Sequence, residues 1–271
     1  MPMPSSLVLV GAGKMGGAML EGWLKLGVDP ASVTVVDPYP SAPMKALCEA
    51  RGVRLNPPAA EIKQPETLAL AIKPQTFNAA TSEIARMVGP RTLVVSVMAG
   101  KTVANIKQRL PAKAVVRAMP NTPAAVGRGV TAVAACPAVT IAQRGVANSL
   151  LSAIGRIEWV EDEALIDAVT AVSGSGPAYV FLLAETLAKA GEAAGLPADL
   201  AMRLARATVE GAGELMYRDP DDSPATLREN VTSPGGTTAA ALAVLMAPDG
   251  LQPLMTKAVA AAKRRSEELS G

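Results

Sequence analysis

The sequence predicts an α/β N-terminal domain followed by an all-helical C-terminal domain. Through the first half of the chain, short apolar runs alternate with segments of helical periodicity. The apolar runs lack alternation of polar and apolar residues, which is typical of parallel strands buried on both faces. After residue 160 only helical patterns follow. Since domains usually hold about 100 to 200 residues, we expect the first domain at residues 1–161 and the second at 162–271.

Apolar runs of strand length, each bounded by breaking residues, predict the strands of the first domain. These are Leu7–Val10, Val33–Val36, Thr67–Ile72, Leu93–Val97, Ala114–Met119, Val130–Ala135 and Arg156–Val160. The helices predicted between them are Met15–Leu26, Pro43–Ala50, Gln75–Val88, Val103–Arg109 and Ile141–Ile154. Gly52 predicts the end of the second helix, and Thr102 the start of the fourth. This alternation predicts a parallel sheet with helices on both faces.

The second domain is predicted to contain helices that are apolar on more than one face. The predicted helices are Glu163–Ala171, Pro177–Ala194, Pro197–Tyr217, Ala225–Val231, Thr237–Met246 and Leu251–Leu269. Every position of Ala178–Ala184 is apolar or aromatic, whereas a surface helix with one buried stripe carries polar residues on its other face. We therefore expect a second subunit to cover this domain, which makes the protein a homodimer.

Composition excludes several other kinds of partner. The 26 basic and 24 acidic residues give a net charge of +2 and form no basic surface for nucleic acid. Histidine is absent, and Cys48 and Cys136 lie far apart, so we expect no metal site and a reducing compartment. The N-terminus carries no targeting pattern, and Ser173–Pro177 interrupts the uncharged stretch Ala168–Ala184. A cytoplasmic protein without a membrane anchor is the expectation.

A glycine-rich motif, GAGKMG at Gly11–Gly16, follows the first predicted strand and opens the first helix. Gly11 would make the tight turn, Gly13 would let a pyrophosphate reach the main chain, and Gly16 would permit close packing of helix on sheet. Asp37 ends the second strand, where a carboxylate binds the ribose hydroxyls of NAD. The strand, the glycines and the acidic residue together predict a dinucleotide-binding domain. The alternative role for Asp37 is to cap the turn at Pro38.

A second glycine-rich segment, SPGGTT at Ser233–Thr238, precedes an apolar helix. Gly235 and Gly236 would allow a ligand close to the main chain, next to the unpaired N–H groups of a helix N-terminus. This combination predicts a site for a small carboxylate. The alternative is an ordinary turn whose helix is capped by Thr237.

These motifs, taken with four others, resemble the pyrroline-5-carboxylate reductase family nearly from end to end. The further motifs are LAIKPQ at Leu70–Gln75, SVMAG at Ser96–Gly100, RAMPNTP at Arg117–Pro123 and VSGSGPAY at Val172–Tyr179. The resemblance implies a Rossmann-like domain with a helical dimerisation domain, from which larger rings of dimers are often built. It implies reduction of the cyclic imine 1-pyrroline-5-carboxylate to L-proline by hydride from NADPH or NADH.

The resemblance also implies roles for individual residues. Those of the cofactor site are Gly11, Gly13, Lys14, Met15, Gly16, Asp37, Ala71, Lys73 and Pro74. Those of the substrate site are Met119, Pro120, Asn121, Ser175, Gly176, Ser233, Gly235, Gly236, Thr237 and Thr238. Thr238 would hydrogen-bond the ring nitrogen, while two helix N-termini, at Ser175–Gly176 and at Gly235–Gly236, would converge on the carboxylate. Lys73 could instead be a surface charge, and Ser173 and Ser175 could be helix caps.

Two departures from the family bear on the cofactor. Asp37-Pro38-Tyr39 stands where NADPH-preferring members carry small polar or basic residues, so Asp37 favours NADH. The segment around Asn56 also differs, and no adenosine contact is carried over to it. The alternatives to the reductase are a related hydroxyacid dehydrogenase or imine reductase, and a non-catalytic NAD(P)-binding protein. The dehydrogenase would need a lysine within Pro177–Leu187, which has none.

Overall fold

The protein folds into two compact units. A computed structural model describes residues 2–270, apart from the side chain of Ser270. The first unit comprises residues 2–174 together with 263–270, and the second comprises residues 175–262. The compact units thus divide after Gly174, and the expected functional boundary after residue 161 stays a prediction.

Within residues 2–270, eight strands form one sheet in the first unit. They are β1 (Leu7–Val10), β2 (Val33–Val36), β3 (Arg54–Leu55), β4 (Thr67–Leu70), β5 (Leu93–Ser96), β6 (Ala114–Met119), β7 (Gly129–Ala135) and β8 (Gly155–Trp159). Their order is β3-β2-β1-β4-β5-β6-β7-β8. The predicted α/β class is confirmed. The sequence did not predict β3, since two residues are too short to form an apolar run.

The expectation of a wholly parallel sheet is wrong at one place. In the order of the sheet, the six strands from β3 through β1 to β6 pair in parallel. The next strand, β7, runs antiparallel to β6, with Met119 opposite Ala132. The connection between them is short and holds a 3-10 turn at Thr122–Val126, which ends at Gly127 in left-handed conformation. A parallel pair would need a crossover of a dozen or more residues. Because the chain returns at once, it can only pair antiparallel.

Six helices of the first unit carry apolar side chains onto the sheet. They are α1 (Lys14–Lys25), α2 (Ala42–Arg51), α3 (Phe77–Met87), α4 (Val103–Arg109), α5 (Ile141–Ser152) and α6 (Leu165–Val169). The predicted signals hold at their ends: Thr102 caps α4 through the N–H of Asn105, and Gly52 ends α2 at φ 71°. Trp23 of α1 is fully buried and donates from Nε1 to the Leu150 carbonyl of α5 at 2.8 Å. This bond fixes the two helices on the same face.

The helix α6 does not stop where the glycines predict a break. It continues as a π turn, Thr170–Gly174, and then as α7 (Gly176–Ala193), with Ser175 in right-handed helical conformation. The expectation that Ser173–Pro177 interrupts the helix is therefore wrong. A helix tolerates proline in its first turn, and glycine adopts helical backbone angles at a modest cost in free energy. Leu165–Ala193 is consequently one helical stretch that is long and apolar enough to cross a membrane, which by itself is weak evidence.

The second unit contains α7 and four further helices. These are α8 (Ala198–Arg218), α9 (Pro224–Asn230), α10 (Thr237–Leu245) and α11 (Leu251–Ser270), whose last residues belong to the first unit. Among residues 175–262 the fully buried apolar side chains are small: Ala188, Ala201 and Ala205. Large apolar side chains stay exposed instead, among them Phe181, Leu182, Leu183, Leu204, Leu215, Val244, Met246 and Leu254. A unit of this size without a core of its own must bury these residues elsewhere.

The C-terminal end of α11 is held in the first unit by a buried arginine. Arg117 of β6 is 3% exposed and donates to Glu163 Oε1 at 3.0 Å, while its other terminal nitrogen lies 4.0 Å from Asp167 Oδ1. Ser266 of α11 donates its hydroxyl to the same Asp167 oxygen at 2.6 Å. The group links β6, α6 and the end of the chain.

Candidate active site

The glycine motif lies at the point of the sheet where the strand order reverses. The chain proceeds from β1 to β2 and β3 on one side, and β4 returns to the other side of β1. In open α/β sheets, ligands bind in the crevice at the carboxyl ends of such strands. Gly11–Gly16 follows β1, and Ala71–Pro74 follows the neighbouring β4, so the two predicted cofactor segments flank this crevice.

The three glycines of this loop differ in what a side chain would meet at their positions. Gly11 has φ 90°, and a Cβ there would come within 2.8 Å of the Ala71 main chain. At Gly16 a Cβ would lie 2.1 Å from the Gly11 carbonyl, so only glycine lets α1 pack this closely on β1. A Cβ on Gly13, by contrast, would meet no atom within 4 Å. The main chain at the N-terminus of α1 is therefore open to a ligand, which is where a pyrophosphate binds in this fold.

A cleft of about 460 Å³ adjoins this loop within the first unit. Its walls include the glycine loop and the segment after β2, among them Ala12, Gly13, Lys14, Asp37, Tyr39 and Ser41. Tyr39 is 91% exposed, an unusual state for an aromatic ring that borders a cleft. The sequence motifs gave Tyr39 no role, although its position directly after Asp37 and Pro38 could have indicated one.

The carboxylate of Asp37 already accepts two main-chain hydrogen bonds. Ala12 N donates to Oδ2 at 2.7 Å, and Tyr39 N donates to Oδ1 at 2.8 Å. Asp37 thus joins the glycine loop to the end of β2 and also caps the turn at Pro38. Each carboxylate oxygen has a second lone pair, so ribose hydroxyls remain possible partners.

Asn56, which the motifs left without a role, holds the main chain of Asp37. Its Oδ1 accepts from Asp37 N at 2.8 Å and its Nδ2 donates to Asp37 O at 2.7 Å. Asn56 has φ 48°, a left-handed conformation that asparagine tolerates better than most residues. An asparagine directly after an edge strand and before two prolines was the signal for this contact.

The remaining cofactor residues lie at the ends of their elements. Lys14 and Met15 open α1, and Ala71 N donates to the Val10 carbonyl at 2.8 Å, which joins the ends of β1 and β4. Lys73 is exposed, and no partner for its ammonium is found among the described residues. It precedes the 3-10 turn Pro74–Thr76, so the charge stands free at the carboxyl edge of the sheet.

The strand β6 ends at Met119, and Pro120 and Asn121 follow it; Met119 and Asn121 contact the π turn. Asn121 is 9% exposed; its Nδ2 donates to the Ser173 carbonyl at 3.2 Å, and its Oδ1 accepts from Val130 N at 2.9 Å. The methyl of Met119 lies beside Gly174, where a Cβ would come within 3.0 Å of it. The structure therefore brings together two motifs that are 52 residues apart in sequence.

The helix α7 begins at Gly176 with Ser175 in the N-cap position, but this N-terminus is not preceded by a loop. Ser175 has φ −85° and ψ −21° and follows the π turn directly, so the chain is already helical before Gly176. Ser175 makes no capping bond, and the Ser173 hydroxyl donates to Val169 O at 3.2 Å instead. The N-terminus of α7 thus directly continues a helical segment, and its convergence with Gly235–Gly236 on one carboxylate stays a prediction.

The segment Ser233–Thr238 lies in the second unit and forms the expected loop. Gly235 has φ 71°, and Gly236 N donates to Ser233 O at 3.0 Å, which closes the turn. Gly236 is the N-cap of α10, and no side chain caps this helix. Capping by Thr237 is thus wrong as an alternative. The structure records no hydrogen bond for the hydroxyls of Thr237 and Thr238, and both are available to a ligand.

No metal-binding group is found in the part of the chain that the structure describes: no three Cys, Asp or Glu side chains cluster as a metal would require. Cys48 and Cys136 are free and buried, and burial raises the pKa of the Cys48 thiol above its usual value. Neither thiol is positioned to act on a ligand.

Comparison with known proteins connects this geometry to one family. Residues 163–269 match a family model described as pyrroline-5-carboxylate reductase dimerisation, and residues 6–100 match one described as NADP oxidoreductase, coenzyme F420-dependent. The chain is 41% identical to a pyrroline-5-carboxylate reductase of Synechocystis sp. over 98% of this chain and 99% of the relative. The corresponding enzyme of Pseudomonas aeruginosa is 39% identical, over 97% of this chain and 96% of its own.

Solved structures agree with these sequence relatives. A pyrroline-5-carboxylate reductase of Coxiella burnetii superposes with a TM-score of 0.90 at 34% identity, with 99% of each chain covered. A pyrroline carboxylate reductase of Plasmodium falciparum, solved with NADP bound, superposes with a TM-score of 0.81 at 26% identity over the full length of both chains.

Proposed function

This chain belongs to the pyrroline-5-carboxylate reductase family, and on that premise we propose which of its residues carry the reduction of 1-pyrroline-5-carboxylate to L-proline. It is an NAD(P)H-dependent oxidoreductase that acts on a carbon–nitrogen double bond, the last step of proline biosynthesis. The observation that carries this function is the full-length match to reductases, which includes both glycine-rich loops.

The residues of the first unit fit a nicotinamide dinucleotide. The open main chain at Gly13 and the N-terminus of α1 would receive the pyrophosphate, and the cleft beside Asp37 and Tyr39 would receive the adenosine half. Ala71, Lys73 and Pro74, after β4, would line the nicotinamide half. When bound, the cofactor supplies the hydride that adds to the imine carbon.

The residues of the second unit fit the substrate. We assign the carboxylate to the amides of Gly235, Gly236 and Thr237, because α10 begins there without a cap. The Thr238 hydroxyl, one position further along, would bond the ring nitrogen and orient the C=N bond. As hydride reaches carbon, the π electrons of that bond pass to nitrogen, which has taken its proton from water. Positioning therefore suffices, and no histidine is required.

The remaining predicted substrate residues are proposed to serve the imine as well. We propose that Ser175 and Gly176, together with Ser233, present polar main-chain and hydroxyl groups to the substrate, and that Met119, Pro120 and Asn121 form its floor. Ser175 and Gly176 would act through the helical path after the π turn and not through a free N-terminus.

We propose that the enzyme is a homodimer through the helical unit. The exposed side chains of α7, α8 and α10 require a cover, and residues 163–269 match the dimerisation model. The same cover accounts for the apolar stretch Leu165–Ala193 without a membrane. Rings of such dimers and a cytoplasmic location, where both cysteines stay reduced, complete the proposal.

The test of the substrate assignment is an assay of the wild-type enzyme and of Thr238→Ala. We expect the wild type to oxidise NADH or NADPH with pyrroline-5-carboxylate and not with 2-keto acids. Loss of the Thr238 hydroxyl should lower kcat/KM for the imine by about fivefold to 160-fold, which corresponds to roughly 1 to 3 kcal/mol, while the Kd for NADH stays constant.

Thr238→Ser is the matched control, because it keeps the hydroxyl and removes only the methyl group. It should retain most of the wild-type kcat/KM. Equal activity of the alanine and serine variants would remove Thr238 from the site, and turnover of 2-keto acids in place of the imine would overturn the substrate class.

We further propose that Asp37 makes the enzyme prefer NADH. A 2′-phosphate in the cleft would approach this carboxylate, and two like charges about 4 Å apart repel by about 1 to 4 kcal/mol between bulk water and a protein surface. Asp37→Ser should therefore raise the ratio of kcat/KM with NADPH to that with NADH by about tenfold. Measurement of both cofactors in parallel gives this ratio.

Because Asp37 also holds Ala12 N and Tyr39 N, its replacement should lower activity with both cofactors. Asp37→Asn separates the two effects, since it removes the charge but keeps one acceptor oxygen. We expect both variants to shift the ratio and asparagine to retain more activity. A wild type that already uses NADPH tenfold better than NADH would show that the assignment is wrong.

A further inference from the structure

The π turn at Thr170–Gly174 leaves one carbonyl without its ordinary helical partner. In an α-helix the Ser173 carbonyl would accept from the N–H of residue 177, but that residue is proline and has none. The next amide, that of Ala178, donates to Ser175 O at 3.0 Å. The carbonyl of Ser173, in a half-buried position, therefore needs a donor from outside the helix.

Asn121 supplies that donor. Its Nδ2 lies 3.2 Å from Ser173 O, and its Oδ1 is fixed by Val130 N at 2.9 Å, at the start of β7. Both ends of the amide group are thus occupied by main chain, and the side chain is buried between them. One side chain ties the sheet to the π turn.

Two neighbouring features hold the turn in the same place. The Thr170 hydroxyl donates to Ile166 O at 2.7 Å, and such a bond to the preceding turn favours local distortion of a helix. On the other side, the absence of a side chain at Gly174 leaves room for the Met119 methyl. The widened turn is therefore specified by particular residues, as is frequent for π turns at functional sites.

We propose that Asn121 is a positioning residue: it replaces the donor that Pro177 removes, and so sets the path of the main chain from Ser173 to Gly176. This inference rests on the proposed function, in which Ser175 and Gly176 contact the substrate. It changes the role of Asn121 from a contact of the substrate to a support of the residues that contact it.

Asn121→Asp is the sharpest single change, because it keeps the size and the acceptor for Val130 N but turns an oxygen toward Ser173 O. We expect KM for the imine to rise by about tenfold, because a buried hydrogen bond to Ser173 O is replaced by repulsion between two oxygen atoms. The kcat should change less, and the Kd for NADH should stay within about twofold, because the glycine loop is untouched. An equal rise in NADH Kd would indicate a general loss of structure and would overturn the proposal.

Pro177→Ala provides the second variant, since it returns an N–H to the position four residues after Ser173. When Asn121→Ala has removed the side-chain donor, the new N–H of residue 177 can bond the Ser173 carbonyl in its place. Pro177→Ala should therefore raise the midpoint of thermal unfolding more in the Asn121→Ala variant than in the wild type. Additive effects of the two changes would show that Asn121 does not act through Ser173. This comparison of unfolding midpoints requires no catalytic turnover. It therefore tests the bond between Asn121 and Ser173 even if the wild type fails to reduce the imine.

Discussion

Replacement of Phe181 by glutamate is expected to abolish both the dimer and the activity. Phe181 is 69% exposed on α7, within a unit whose fully buried apolar side chains are three alanines. Burial of a phenylalanine contributes about 1.5 to 3 kcal/mol, and it occurs twice in a symmetric dimer. A buried, unpaired carboxylate would add a cost of several kcal/mol at each of the two sites.

Light scattering or sedimentation across a dilution series measures this effect, with imine reduction followed in the same samples. Ile141→Glu is the matched control, because Ile141 is 91% exposed at the start of α5 in the first unit and carries no proposed interface. The control should remain dimeric and active. An active, dimeric Phe181→Glu enzyme, or a stable wild-type monomer, would contradict dimerisation through this face.

Mixed dimers of two inactive variants are expected to recover activity. Gly13→Val should block the pyrophosphate without harm to the fold, because the added Cβ meets no atom within 4 Å. Thr238→Ala should impair the substrate loop alone. We propose that the Ser233–Thr238 loop of one subunit serves the cofactor bound to its partner. A mixed dimer then contains one site with both defects and one with neither.

Co-expression of the two variants with different affinity tags isolates the mixed dimer. It should show about half of the wild-type activity, because one of its two symmetric sites is intact. If each site is built from a single chain, every site in the mixed dimer carries one defect and no activity returns. The two arrangements therefore give opposite results from one preparation.

The sequence predicted the elements that depend on local apolar patterns and missed the features that depend on distant contacts. Leu7–Val10 and Val33–Val36 were predicted to the residue, because buried parallel strands are uniformly apolar. The strand β7 was predicted at Val130–Ala135, but its antiparallel direction was missed, since its residues look the same in either direction. Its orientation is set by the short connection through Gly127.

The candidate site shows the same division. The roles of Gly11 and Gly16 in backbone geometry followed from their spacing, and the structure gives each a clear steric reason. The bond from Tyr39 N to Asp37 matches the alternative role of Asp37 as a cap for the turn at Pro38. The bond from Ala12 N could not be predicted, because Ala12 is 25 residues away and contributes only main chain. Likewise, no pattern linked Asn121 with Ser173. Hydrogen bonds from side chain to distant main chain leave no periodicity in a sequence.

The buried contact between Asp167 and Ser266 has a consequence for synthesis of the chain. The first unit is made of residues 2–174 and of 263–270, so its N-terminal part is synthesised well before the segment that completes it. Domains generally fold from the N-terminus during translation. Here the bond from the Ser266 hydroxyl to Asp167 forms only after residues 175–262 have also been synthesised, so the first unit is completed later than its own N-terminal part.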